Sequence, residues 1–142
     1  MNRNVIILLV AILIVLAIFT YNFYSYKAQK LEITQINRVY ESFLDKQVLG
    51  TDVMSVINKA VSSNEKNQVQ KDEKGKYIDN GTNSIQIEVK FQELDKVVSM
   101  EAISGQGYNE FVYNFGAASF KCTKIEYHTG TGSIRYMYFE QI

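Results

Sequence analysis

Cys122 is the only thiol and His128 the only imidazole in the 142 residues of this chain. In contact, the two would make a nucleophile and its general base. Both lie in SFKCTKIEYH, which reads as a β-strand. At 3.3 Å per residue the six positions between them amount to roughly 20 Å, so they cannot touch unless the strand breaks. Cys122 is therefore expected as a small buried core residue and His128 as a polar residue at a strand end.

Other chemistry fares no better. A transition-metal cage needs more than one thiolate and one imidazole. KDEKGKYIDNG brings Asp72, Glu73 and Asp79 near two glycines, but the spacing is not that of an EF-hand, and the stretch reads as a solvated loop. Gly105 and Gly107 lack the strand-to-helix context of a phosphate-cradling loop. Asn80-Gly81-Thr82 fits a glycosylation sequon, yet Asn-Gly is also what a tight turn demands, and the turn is the reading adopted. No catalytic, cofactor or metal set emerges, and the chain is expected to be non-enzymatic. What remains is a surplus of aromatics, ten Tyr and eight Phe, more than one small sheet face can hide. Tyr108, Phe111, Tyr113, Tyr136 and Tyr138 form the candidate interaction surface, because exposed Tyr-rich patches are common at protein interfaces.

The elements that must position these residues begin with the N-terminal stretch. Val5 to Phe19 is apolar without a break, and the run to Tyr24 makes a helix of roughly 30 Å, enough to cross a bilayer core. No polar stripe interrupts it, as a soluble core helix would require. Phe19, Tyr21, Phe23, Tyr24 and Tyr26, then Lys27 and Lys30, read as a membrane–water interface with snorkelling cations. A cleaved signal needs small residues before its cut site; Ala17-Ile18-Phe19 and Phe23-Tyr24-Ser25 place bulky rings there. An uncleaved anchor over residues 5–26 is expected, contacting the lipid bilayer and following a short tail of residues 1–4. All folded mass then lies C-terminal, and a signal-anchor orientation with the domain exported is preferred, although Arg3 on one side and Lys27, Lys30 and Arg38 on the other give little cation bias.

Residues 27–142 read as one small domain. Ile33, Ile36, Val39, Tyr40, Phe43 and Leu44 fall at helical steps, an amphipathic continuation of the anchor that Gly50 should end as a left-handed cap. TDVMSVINKAVSS, capped by Thr51 or Asp52, is a second short helix with Val53, Val56, Ile57, Ala60 and Val61 on its apolar face. Residues 64–76 are a polar loop, with a small hairpin whose arms are Val69 and Tyr77-Ile78 as one form of it. DNGTN is a turn. SIQIEVKF alternates without exception, a strand with one buried and one wet face. Residues 99–115 combine a Gly-rich loop over the sheet edge with a short helical cluster. SFKCTKIEYH and SIRYMYFEQI flank TGTG as a hairpin, with a bulge near Thr123 needed to reconcile the parity of Phe120 and Cys122 with that of Ile125 and Tyr127. In the second arm Ile134, Tyr136 and Tyr138 share one face, Met137 and Phe139 the other, so the second sheet face is expected to meet a neighbour or residues 99–115.

This layout, a few polar residues with a positive charge, an apolar N-terminal helix, its amphipathic continuation and an antiparallel sheet, resembles type IV pilins and pseudopilins. The resemblance implies a filament subunit whose apolar helix packs against copies of itself. That family is processed at a glycine followed by an aromatic, with a glutamate five residues into the mature chain; here the first glycine is Gly50 and the first acidic residue Glu32.

Composition narrows the rest. Lys+Arg 15 balances Asp+Glu 15, which argues against a nucleic-acid surface. One cysteine forbids an internal disulfide. The expected protein is α+β: a transmembrane helix continuing into an amphipathic helix that packs, with a second short helix, on an antiparallel sheet of three to four strands. Its expected role is an extracytoplasmic interaction or assembly domain with a protein partner or with itself, with a pilin-like subunit as the alternative and a membrane-tethered enzyme as a third class.

Overall fold

A computed structural model describes residues 2–93 and 95–142. They divide into two units, Met1–Gln35 and Ile36–Ile142. Helix α1 spans Arg3–Glu41, an unbroken run consistent with the absence of Gly and Pro. Within the first unit its apolar side chains are exposed all round, from Val5 at 44% to Phe19 at 70% and Tyr24 at 67%. It is a helix long and apolar enough to cross a membrane. Its two threonine hydroxyls bond back into the helix, Thr20 to the Leu16 carbonyl at 2.7 Å and Thr34 to that of Lys30 at 2.9 Å, so neither is left wanting a partner.

The second unit is α+β, built on a five-stranded sheet of order β1-β4-β5-β2-β3. Its strands are β1 (Gln47–Leu49), β2 (Gln86–Phe91), β3 (Lys96–Ser99), β4 (Ser119–Tyr127) and β5 (Ile134–Gln141). Helices α2 (Gly50–Lys66), α3 (Met100–Gln106) and α4 (Tyr108–Phe115) complete it. The sheet therefore departs from the antiparallel one of three to four strands expected above. It gains β1 and β3, of three and four residues, too short to show alternation. It is mixed because β2 and β5 pair in parallel, Gln86 opposite Tyr136 through Lys90 opposite Glu140. The chain between them carries two helices, enough for the crossover that parallel neighbours need.

Periodicity explains the core. Val53, Val56, Ile57 and Ala60 of α2 are fully buried, at the helical spacing read from the sequence. They join Ile87, Val89 and Phe91 of β2, Phe120 and Cys122 of β4, and Met137 and Phe139 of β5 in one cluster. The β4 register shifts between Cys122 and Lys124, the bulge expected near Thr123, which lets Phe120, Cys122 and Ile125 all face inward. A second shift at Tyr127 sets Arg135 as the extra residue of β5. Ile134 is thereby buried with Met137 and Phe139, contrary to simple alternation.

Residues 99–115 are not a loop over an edge. Met100, Ile103 and Phe111 belong to the core cluster, and Phe91, Phe111, Phe115 and Phe120 stack with ring centroids 4.6–6.5 Å apart. These helices thus share the side of the sheet taken by α2. The other side carries Gln86, Glu88, Lys90, Lys124, Glu126, Tyr136, Tyr138 and Glu140.

Gly50 does not end a helix. α1 stops at Glu41, the left-handed residue after it is Asp45 (φ 57°), and Gly50 opens α2, whose Asp52 carboxylate accepts the Leu49 N–H at 3.1 Å. The end of α1 docks through Tyr40, which is buried, and Phe43, edge-on to Phe139 at 6.3 Å. Ile36, Val39 and Leu44 of the expected apolar face stay about 40% exposed, because Asn37 takes the inward position. Its amide donates to the Gly132 carbonyl at 2.8 Å and accepts the Ile134 N–H at 3.0 Å. After α2, Val69 and Tyr77 are buried and the Ile78 N–H bonds to the Gln70 carbonyl at 2.8 Å, the small hairpin anticipated for this stretch.

Candidate functional site

The side chains with the most interaction chemistry gather where the 79–84 turn meets the β4–β5 turn. In DNGTN, Gly81 takes φ 73°, the positive value that Asn-Gly supplies readily. The Asp79 carboxylate accepts the Gly81 N–H at 2.8 Å, and the Asn80 side-chain Oδ1 accepts the N–H groups of Thr82, Asn83 and Ser84, each at 3.0 Å. Opposite, Gly132 (φ 74°) closes the turn after β4, with the His128 N–H on the Ser133 carbonyl at 2.8 Å. The hydroxyls of Thr131 and Ser133 both donate to the Thr82 carbonyl, at 2.6 and 2.7 Å. The two turns are thus sewn together side chain to backbone.

His128 lies inside this seam, 3% exposed. Its Nε2 is 2.7 Å from the Ser84 carbonyl oxygen; a carbonyl only accepts, so Nε2 bears the proton. Nδ1 faces Asp79 Oδ1 at 3.7 Å. Asp79 also receives Arg135 at 3.0 Å, and Arg135 reaches Glu126, which is paired with Lys124. The Gly81 N–H foremost, then Arg135, holds the Asp79 carboxyl below its usual range. Lys124 and then Arg135 do the same for Glu126, and the two carboxylates raise Arg135 in turn.

The cluster borders an open groove of about 650 Å³ lined by Asp79, Glu126, Tyr127, His128, Thr129 and Arg135. Glu126 and Arg135 also line a second depression of about 310 Å³ with Gln86, Glu88, Lys124 and Tyr136, so the groove runs onto the helix-free sheet face. There the Tyr136 hydroxyl donates to Glu88 at 2.7 Å, and burial together with that carboxylate raises its pKa. Tyr127 donates to Glu41 at 2.7 Å, which pushes the phenol up to about 12. The arrangement can orient a polar partner along a row of pre-paired charges. The imidazole Nε2–H is committed to a backbone carbonyl, and Asp79 stands 3.7 Å from Nδ1, beyond hydrogen-bond length.

Cys122 is elsewhere, completely buried, its thiol on the Lys124 carbonyl at 3.6 Å and pushed up to about 11 chiefly by burial. β4 runs unbroken between the cysteine and its end at Tyr127, so the structure keeps Cys122 and His128 apart, as strand geometry requires. His128 is more than a polar strand end, since it clamps Ser84. The five aromatic residues singled out from the sequence do not converge. Phe111 is a core residue at 3% exposure, whereas Tyr108 and Tyr113 of the same helix stand out at 50% and 90%. Tyr108 borders a polar depression with Ser55, Asn58, Lys59 and Ser62 of α2. Tyr136 and Tyr138 are half-buried on the helix-free sheet face.

Sequence reasoning missed Asn37, Asn64 and Arg135. Asn64 is fully buried, its amide exchanging two 2.8 Å bonds with the Ile85 backbone. A signal existed for it: Asn64 continues the apolar face of α2 one turn beyond Ala60, where a polar residue has to be satisfied internally. Arg135 has no such signal, since its place follows from the second bulge. Set against protein-family models, curated proteins and solved structures, the chain matches none.

Proposed function

We propose that the chain is a single-pass membrane protein whose Ile36–Ile142 unit is a non-enzymatic interaction or assembly domain on the extracytoplasmic side. The observation that carries this is α1: from Val5 to Tyr26 its large apolar side chains are 43–74% exposed on every side of the helix. Such a surface is costly in water and at home in hydrocarbon. A binding role rather than catalysis is supported by the use of both reactive side chains for packing, Cys122 in the core and His128 on Ser84.

The test is the intact mass of the chain recovered from washed membranes, together with its resistance to alkaline carbonate. Full-length mass in the carbonate-resistant pellet is the expected result. Loss of about the first 20–28 residues, with the remainder in the soluble fraction, would mark a secreted domain and overturn the anchor. A pilin-like filament subunit is the second reading, favoured by the continuity of α1 from its apolar part to Glu41. It requires trimming of only the few residues before Val5 and recovery of the chain in material sheared from the cell surface.

A further inference from the structure

Phe23, Tyr26, Lys27 and Lys30 follow one another at i, i+3, i+4 and i+7, and so lie on a single face of α1. The Lys27 ammonium sits 4.7 Å from the Phe23 ring centroid and that of Lys30 5.6 Å from the Tyr26 centroid. Both are within cation–π range. Phe19 continues the same face one turn earlier and is 70% exposed. The side chains of a helix lean toward its N-terminus, so both cations reach back along the helix toward the apolar run instead of away from it. With that run covering roughly 30 Å up to Tyr24, the two charges stand within about two turns of its end. The opposite side of the helix at the same height carries Tyr21, Ser25, Ala28 and Glu32 and no cation. Among the described residues no carboxylate pairs with Lys27 or Lys30. Glu32, the nearest acidic residue in sequence, projects about 200° around the helix from Lys30.

We propose that this face is a binding site for the phosphate of an anionic phospholipid headgroup. Lys27 and Lys30 would bracket the phosphate from adjacent turns while the Phe19 and Phe23 rings lie along the first carbons of the acyl chains. The rings serve two purposes: they fix the ammonium groups at headgroup depth, and they restrict them to one side, so one lipid is held where a ring of cations would hold a diffuse shell. This inference rests on α1 being embedded in a bilayer and adds to it a preference among lipids. Each lysine close to an anionic surface is worth a factor of roughly five in partitioning, and the pair roughly 25 to 30.

The full chain, reconstituted in nanodiscs of phosphatidylcholine with a minority of phosphatidylglycerol, is released in a native mass spectrometer and its retained lipids are identified. Retained phosphatidylglycerol several-fold above its share of the disc is the expected result. The enrichment should fall to that share in Lys27→Gln/Lys30→Gln and persist in Lys27→Arg/Lys30→Arg, both of which leave the apolar run intact. Retention at the bulk ratio by the unaltered chain, or enrichment that survives the glutamine pair, overturns the site while leaving the anchor standing. A chain recovered outside the discs would overturn the anchor and the site together.

Discussion

Gly50 and Gly105 are indistinguishable as letters, and the structure gives them opposite responses to the same substitution. Gly50 begins α2 where that helix presses on the end of α4. A Cβ there would lie 1.9 Å from the Phe115 carbonyl oxygen and 2.7 Å from its carbon. Both are backbone atoms, so no rotamer change relieves the overlap, and α2 must withdraw by about 1 Å or more. The Gly50 N–H on Ala118 (2.9 Å) and the Thr51 N–H on Gly116 (3.2 Å) would then be lost or weakened, at about 1 kcal/mol each. Overpacking of the surrounding core adds about 1–3 kcal/mol. Gly50→Ala should therefore cost about 3–5 kcal/mol, or roughly 15 °C or more in Tm for a domain of this size. Gly105 lies within α3 with nothing inside 4 Å of its Cβ position, and its φ is not positive. Gly105→Ala should stabilise by about 0.5–1 kcal/mol, through the unfolded chain and helix propensity. The assay is thermal unfolding of the full chain in detergent, followed by near-ultraviolet circular dichroism, which reports packed aromatics and is insensitive to a helix held in the micelle. A Gly50→Ala variant melting within about 2 °C of the parent, or a Gly105→Ala variant that falls with it, would refute the close-approach reasoning.

Three further outcomes follow from burial and bonding. Asn64→Ala leaves the Ile85 N–H and C=O unpaired in the core and should cost about 2–4 kcal/mol; chemical denaturation showing less than about 1 kcal/mol would contradict it. Burial lifts the Cys122 thiol to about 11, above the ~8.5 of an unfolded chain, so the folded state holds its proton longer. That contribution is whole below about pH 8.5 and is lost as pH rises toward 11. Iodoacetamide at pH 8 should accordingly label Cys122 only at the rate of domain opening, and labelling as fast as a free thiol would show the site is not closed. Phe111→Ala should lose about 3–5 kcal/mol as a core truncation, whereas Tyr113→Ala, at 90% exposure, should stay within about 0.5 kcal/mol. Equal losses in the two variants would mean that α4 is docked on a different face.

What the sequence made legible follows from the length of the repeating signal. β2 reads directly because Ile85, Ile87, Val89 and Phe91 alternate over a whole strand, and α2 because five apolar positions recur at helical steps. The bulge at Thr123 was readable because one parity slip lies inside an otherwise regular strand. β1 and β3 were hidden, since three or four residues of KQVL or KVVS carry less than two periods of pattern. The parallel pairing of β2 with β5 was hidden for another reason: it is a property of the crossover, which residues 96–118 make with two helices that two glycines disguised as loop. Gly50 misled because helix-ending glycines are common, while its requirement here is close backbone approach, which is visible only once Phe115 is placed beside it. Of the candidate surface, the exposure of Tyr108 and Tyr113 agrees with the aromatic surplus, and Phe111 does not. One short helix carries all three, and only packing decides which faces inward.

The polar residues of the domain sort by what they hold. Asn37, Asn64 and His128 are all buried, and each binds the backbone of a segment distant in sequence: the β4–β5 turn, the start of β2, and Ser84. Each satisfies main-chain groups that irregular structure leaves unpaired, in a chain with no disulfide to do that work. His128 belongs with the two asparagines on this evidence, since its proton is committed to a carbonyl in the same way that their amides are. Asp79, Arg135, Glu126 and Lys124 form the exposed continuation of the same seam, and their charges compensate one another before any partner arrives. A partner docking along the groove must exchange those pairs for its own, which favours a polar, charge-patterned surface over an apolar one and makes orientation, more than affinity, what the groove can supply. Tyr113 on α4 carries the opposite character, a large ring with little around it, and lies on the other side of the sheet with Tyr108, which is half exposed beside α2. The domain thus carries two dissimilar surfaces on opposite sides of its sheet, one polar and charge-paired, the other with exposed aromatic rings.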